Sequence, residues 1–305
     1  MNVTICQANF DFGYIFRYYI SAVSVNARQT ITFTQTYIRN GNISRSNDCY
    51  MDGYIKGYQV GLKWNDSIPM DKRNITVTYD SNDLQTILTR ILKKDRATVS
   101  LVHCRTASNA NNFMDENSSN DFMICVSVGD DVNEGLQFVS AYRADDVKNI
   151  ENHVNIPPMY IEPFCIMGRK FKNMMTVLGK PKKQTIKITY YDTPGDPGVL
   201  FTTNGIGVNQ ITQKSGSIPQ VEEKDEEIVH DTSDSNKGGT KVIITKSKFN
   251  EFFVDTDRIN SLSKVAFHAE GSIMLRYCEG YDLLISYEFG CYGRIDCYIP
   301  RQVIN

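Results

Sequence analysis

One structural unit recurs four times along this chain, in two halves that resemble each other. Such self-similarity constrains the architecture before any single residue is interpreted. The unit is an alternating strand, a short amphipathic helix entered almost at once, and further alternating strands. Its hydrophobic period switches from two to about 3.6 residues and back. The pattern is plainest at 159–166, 167–179, 184–191 and 198–203, and returns at 240–245, 246–258, 263–268 and 272–277. In the first half it reads 74–79, 83–94, 97–103 and 121–128, with a looser opening copy at 3–7, 11–23 and 30–38. The spacing predicts an α+β chain of two similar domains, with antiparallel sheet and two short helices in each. A doubly wound nucleotide-binding enzyme is not written this way.

Two stretches interrupt the unit and a third divides the halves. Residues 105–120 are rich in Asn and Ser and read as a loop, while 214–239 carries Glu222-Glu223-Lys224-Asp225-Glu226-Glu227 and reads as a solvated acidic loop. Residues 144–158 close on Val154-Asn155-Ile156-Pro157-Pro158. The prolines and the absence of alternation predict an extended connector between domains at 1–143 and 159–305. A plain linker has no need of Val154 and Ile156.

No catalytic residue, metal site or cofactor site is predicted. The four histidines, His103, His153, His230 and His268, are isolated from Cys, Asp or Glu at ligand spacing. Gly205-Ile206-Gly207 lacks the third glycine of a dinucleotide turn. Gly179-Lys180 ends a predicted helix and is followed by Pro181, the wording of a helix stop and not of a phosphate loop. The eight cysteines are scattered without C-x-x-C spacing and read as reduced thiols. No apolar run approaches the ~20 residues that span a bilayer, and the opening residues lack a signal-peptide pattern. These features predict an intracellular protein with no membrane partner, whose N-x-S/T triplets are not glycosylated.

The outward faces of the helices are the next place to look. At 167–180, Met167, Phe171, Met174, Met175 and Leu178 form the apolar stripe. Arg169, Lys172, Asn173, Thr176 and Lys180 fall opposite, with Lys170 beside them and no carboxylate among them. At 83–94, Arg90 and Lys93 stand opposite a Leu/Ile stripe, flanked by Lys94. A solvated face normally mixes signs. One-signed faces on rigid elements suit backbone-directed nucleic-acid binding, although the formal net charge of −2 does not by itself favour it. The helices at 11–23 and 246–258 are weaker, offering Arg17 beside Tyr14 and Tyr18, and Arg258 beside Glu251 and Asp255.

The order of elements and several motifs resemble the DNA sliding clamps of the proliferating cell nuclear antigen type, over nearly the whole chain. Phe171-Lys172-Asn173-Met174-Met175-Thr176-Val177-Leu178-Gly179 looks like the first helix of that family's second domain. Phe249-Asn250-Glu251-Phe252-Phe253 looks like its last helix, and Gly293-Arg294-Ile295-Asp296-Cys297-Tyr298-Ile299-Pro300 like its closing strand. Thr86 to Lys94 looks like the second helix of the first domain. The resemblance implies a homotrimeric ring of six domains, sheets outside and helices lining a hole around duplex DNA. It places Arg90, Lys93 and Lys170 at DNA-facing positions, where Asn173 and Asp255 are not basic. It further implies that Met51, Val154, Ile156, Pro157, Tyr298 and Pro300 form a pocket for the peptides of DNA polymerase and other partners. Residues 135–142 of one subunit would pair with 207–213 of the next. The insertions and the weak match over 39–73 mark a divergent member, as in a virus or protist, acting in the nucleus or a viral replication compartment.

The reading is a non-enzymatic polymerase processivity clamp. Two alternatives stay open: a clamp-like subunit of checkpoint signalling or late transcription in a hetero-oligomer, and an enzyme whose site is not recognisable.

Overall fold

The computed structural model describes residues 2–43, 49–104, 121–129, 136–144, 154–159, 163–178, 185–191, 198–204, 210–215, 249–255 and 272–300. The first half runs β1 (Val3–Phe10), α1 (Gly13–Val23), β2 (Arg28–Thr34), β3 (Tyr37–Ile43), β4 (Tyr50–Lys56) and β5 (Lys63–Trp64). It continues with β6 (Asn74–Asp80), α2 (Ser81–Leu88), β7 (Ala97–His103), β8 (Asp121–Val128) and β9 (Gln137–Arg143). The second half runs β10 (Phe164–Met167), α3 (Gly168–Leu178), β11 (Thr185–Tyr191), β12 (Gly198–Asn204) and β13 (Gln210–Ser215). It closes with β14 (Phe249–Asp255), β15 (Ser272–Arg276), β16 (Leu283–Glu288) and β17 (Gly293–Ile299).

The described strands form a 13-stranded sheet, ordered β10-β15-β16-β17-β4-β3-β2-β6-β9-β8-β7-β1-β5, and a four-stranded sheet, β13-β12-β11-β14. The pairing repeats element by element. β1 pairs β7 as β10 pairs β15, and β2 pairs β6 as β11 pairs β14, all antiparallel. The register repeats too, because Asp80 stands opposite the first residue of β2 and Asp255 opposite the first residue of β11. The sequence interval from Asp80 to the start of β7 equals that from Asp255 to the start of β15.

Alternation explains the layers. In β17, Ile295, Cys297 and Ile299 enter the main core while Tyr298 packs into a separate cluster on the opposite face. Helix α1 lies on the core face, where the Tyr19 hydroxyl donates to the Gly53 carbonyl at 2.8 Å. Gly53 has to be glycine at this approach: a Cβ there would stand 2.8 Å from Val23 and 2.9 Å from Tyr19. The core also takes Phe171 and Met175 of α3, so the apolar stripes of both halves meet in one buried cluster.

Four expectations are corrected. The helix predicted over 246–258 is a strand through its middle, β14, held to β11 over seven register pairs. Phe249, Phe252 and Phe253 sit at helical spacing, but so short a run fits either period, and β11 offers Phe252 a buried place beside Ile188. Helix α2 stops at Leu88. The Asp95 carboxylate accepts the Leu92 N–H at 2.7 Å, replacing the helical bond to Leu88. Met167, assigned to the buried stripe of its helix, lies in β10 and is exposed. Lys214 belongs to β13 and not to the acidic loop. The loop at 105–120, the acidic run from Glu222 to Glu227, and the predicted strands at 240–245 and 263–268 lie outside the described residues.

Candidate nucleic-acid interface and partner groove

The basic candidates fall into two groups. In α3, Phe171, Met174 and Met175 are buried, while Arg169, Lys170, Asn173 and Thr176 are exposed and Lys172 is half-buried. Of the expected one-signed face, Arg169, Asn173 and Thr176 are exposed, with Lys170 beside them. In the first half the candidates follow α2 instead of riding on it. Asp80 caps the helix, its Oδ1 accepting the Asn82 and Asp83 N–H groups at 2.8 and 3.2 Å. After Leu88 the chain tightens, with Arg90 N–H on Ile87 O and Ile91 N–H on Leu88 O. This turn carries Arg90, Lys93 and Lys94, all exposed. Arg17 of α1 reaches across and donates from Nη1 to Ile91 O at 3.0 Å. It therefore braces α1 against the turn. Lys180 and Arg258 lie outside the described residues.

The partner candidates separate in an instructive way. Three rows cross the outer face of β3, β4, β17 and β16. The first is apolar: Ile43, Tyr50, Tyr298 and Leu284 stand in register. Val154 of the connector packs on it and is 7% exposed. The Asn155 N–H donates to Asp282 Oδ2 at 3.0 Å and the Asn155 amide to Gly280 O at 3.2 Å, which fixes the connector to the turn before β16. Val154 and Tyr298 thus come together as expected. Pro157 is buried, Pro300 half-buried, and Ile156 is 40% exposed. Met51 does not belong to this cluster. It pairs with Cys297 and points into the main core; its neighbour Tyr50 takes the place opposite Tyr298. Reasoning from sequence missed Tyr50, Leu284 and Ile43. Strand parity was the signal available, since a residue facing Tyr298 must share its side of the sheet.

The next row is acidic, with Asp52 and Asp296 directly opposed. Like charges in that position repel. Each is held by an arginine of the third row: Arg39 grips Asp52 with two bonds at 2.9 and 3.0 Å, and Arg294 Nε donates to Asp296 Oδ1 at 2.7 Å. Arg294 also donates to Ser286 Oγ. Burial pushes the Asp296 carboxyl above its usual range, against the opposing pull of Ser286 and Arg294. Burial likewise pushes the Tyr298 phenol up to about 12.

Among the described residues, no three His, Cys, Asp or Glu side chains are grouped to hold a metal ion, and no helix is long and apolar enough to cross a membrane. Solved structures decide the fold. A chain of the PCNA2–PCNA3 complex from Sulfolobus tokodaii aligns over 97% of this chain and 99% of its own, with TM-score 0.60 and 12% identity. The PCNA of Thermococcus kodakaraensis aligns over 97% of this chain and 100% of its own, with TM-score 0.60 and 10% identity. The fold is that of the PCNA clamps. No protein-family model matches the chain, and no curated protein does. The likeness to PCNA is therefore one of architecture, carried by strand order and packing and not by shared residues.

Proposed function

We propose that this chain is a DNA sliding clamp. Copies join head to tail into a homotrimeric ring that encircles duplex DNA and tethers polymerase and repair proteins by their peptides. One observation carries the reading. β17 and β4 join the two halves within the chain through six register pairs. Among the described residues their counterparts in the repeat, β9 and β13, do not pair with each other. Among the described residues β13 lies at the edge of its sheet, and the Gln137–Ser140 part of β9 is paired on one side only, to β8. The expected free edge over 135–142 is shorter than predicted, because Ala141 to Arg143 pair with β6. Phe138, on that one-sided part, is 61% exposed, and Leu136 just before β9 is 53% exposed. An unpaired edge bearing large apolar side chains is a liability unless another chain covers it, and a second copy's β13 is the cover that the repeat supplies.

The basic residues of α3 and of the turn after α2 then serve as loose phosphate contacts, binding without sequence preference. Encirclement, not affinity, keeps the clamp on its template. No chemical step is required of it. The apolar row under Val154, with exposed Ile156 beside Pro157, takes the aromatic anchors of partner peptides. A hetero-oligomeric clamp subunit serving checkpoint signalling or late transcription is the second reading, favoured by the low basic content of α1, in which Arg17 is the one basic residue. The mass of the purified chain tests both. Three copies per particle at micromolar concentration is expected, and a strict monomer would overturn the stand-alone clamp.

A further inference from the structure

Helix α1 begins against the ordinary rule. Phe12 occupies its N-cap with no side-chain hydrogen bond to the helix, a position where Ser, Thr, Asp or Asn is strongly preferred. The ring is 48% exposed and lies outside the packed core. It opens a short aromatic series: Phe12 and Tyr14 have centroids 6.0 Å apart, Tyr14 and Tyr18 5.9 Å, and the Arg17 guanidinium lies 5.7 Å over Tyr18. Tyr14 and Tyr18 are half-buried and packed against the core; Phe12 extends the series into solvent. The cationic turn after α2 adjoins this helix end, since Gly13 N–H bonds Asp95 O at 2.8 Å and Arg17 bonds Ile91 O. Two carboxylates lie nearby: Asp11 stands 3.9 Å from Arg96, and Asp95 accepts the Leu92 N–H. Among the described residues no ion pair engages Arg90, Lys93 or Lys94.

Places where a chain breaks a local rule for helix stability are where function is expected. An exposed ring beside cations without an ion-pair partner is what an unpaired nucleic-acid strand requires: a base stacks on the ring and phosphates meet the charges. Duplex DNA offers phosphates but keeps its bases stacked inside. We infer that the Phe12 end of α1, with Lys93 and Lys94, binds single-stranded DNA. The site deepens the clamp reading and rests on it for the orientation of this face. At a junction of duplex and single strand, the basic faces would hold the paired part and Phe12 the unpaired part.

The test compares fluorescence anisotropy of labelled oligo(dT) and of a duplex of the same length on the full chain. Phe12→Ser installs a favourable cap, so it keeps the helix while deleting the ring. It should weaken oligo(dT) binding about tenfold and leave duplex binding unchanged. The double reversal Lys93→Glu/Lys94→Glu should weaken both. Oligo(dT) bound as tightly by Phe12→Ser as by the parent would overturn the inference. So would a Phe12→Ser chain of reduced solution mass with unchanged oligo(dT) affinity, because the ring would then be a contact between copies. A parent that binds oligo(dT) but is a strict monomer in solution would instead sink the clamp reading and leave this site standing. Photocross-linking of a bromodeoxyuridine oligomer supplies a readout free of variants: adducts should fall on the α1 segment, and adducts confined elsewhere would refute the site.

Discussion

Tyr50 and Tyr298 face each other across the β4–β17 ladder, with ring centroids 6.3 Å apart and planes inclined by 61°. The pair couples two roles, because the rings that floor the proposed partner groove also pack the joint between the halves. Tyr298→Ser should therefore lower stability by about 3 kcal/mol, in the range of large-to-small core changes, as well as reduce peptide binding. Ile156→Ser is the cleaner probe. It should weaken an aromatic clamp-binding peptide at least tenfold in calorimetry while leaving the melting temperature within about 1 °C, since isolated surface changes cost little. Equal peptide affinity for parent and Ile156→Ser would place the groove elsewhere.

The open edge of β9 gives a test of assembly. Phe138→Asp puts a charge where a neighbouring copy would cover an apolar ring, and burying an unpaired charge is costly. Light scattering at micromolar concentration should show the mass falling from three copies to one, with the circular dichroism spectrum unchanged. A variant that stays trimeric would show that β9 is not the joint.

Charge reversal at Arg90, Lys93, Arg169 and Lys172 together should weaken duplex binding on every sequence alike. The salt dependence should flatten as well, by about 0.9 counterion for each phosphate contact removed. If the quadruple variant keeps the parent's slope, these residues are only solvated surface.

Asp296 predicts a pH dependence with a definite sign. Burial raises its carboxyl in the folded state. A raised group adds stability below its unfolded value, and that contribution disappears as pH rises through the folded value. The melting temperature of the parent relative to Asp296→Asn should therefore be most favourable near pH ~4 and decline toward neutrality. A difference that is flat, or that grows with pH, contradicts the assignment.

Phe12→Ser should raise stability by about 1 kcal/mol through the new cap, or about 2 °C in melting temperature for a chain of this size. A drop on calorimetric scanning would mean that the ring stabilises the fold.

Much of the architecture was legible in the sequence because strands and helices write different periods. β11 alternates apolar and polar residues, and α3 shows its buried stripe at Phe171, Met174 and Met175. β14 was misread because three phenylalanines satisfy both periods over a few residues, and only the ladder with β11 decides between them. Met51 was misplaced for a related reason. Parity assigns a residue to a face only once a partner strand fixes the register, and an error of one position exchanges core for surface. The basic residues after α2 were found by charge, but the turn that presents them depends on an Asp95–Leu92 bond that spacing does not reveal. The acid row of Asp52 and Asp296 was invisible, since its members are far apart in the chain and meet only across β4 and β17.

The six-pair ladder between β17 and β4 has a consequence for the ancestry and engineering of the chain. It joins the last strand of one repeat to an inner strand of the other, so the halves are held by a noncovalent joint as well as by the peptide chain. Covalent continuity is then redundant for holding them. A gene split between the repeats would encode two polypeptides able to find each other through the same ladder. A circular permutant opened between the repeats would conserve every strand pairing. A duplicated unit with such a joint can be redistributed between one gene and two, because the information that seats one half on the other lies in the strands and not in the linker.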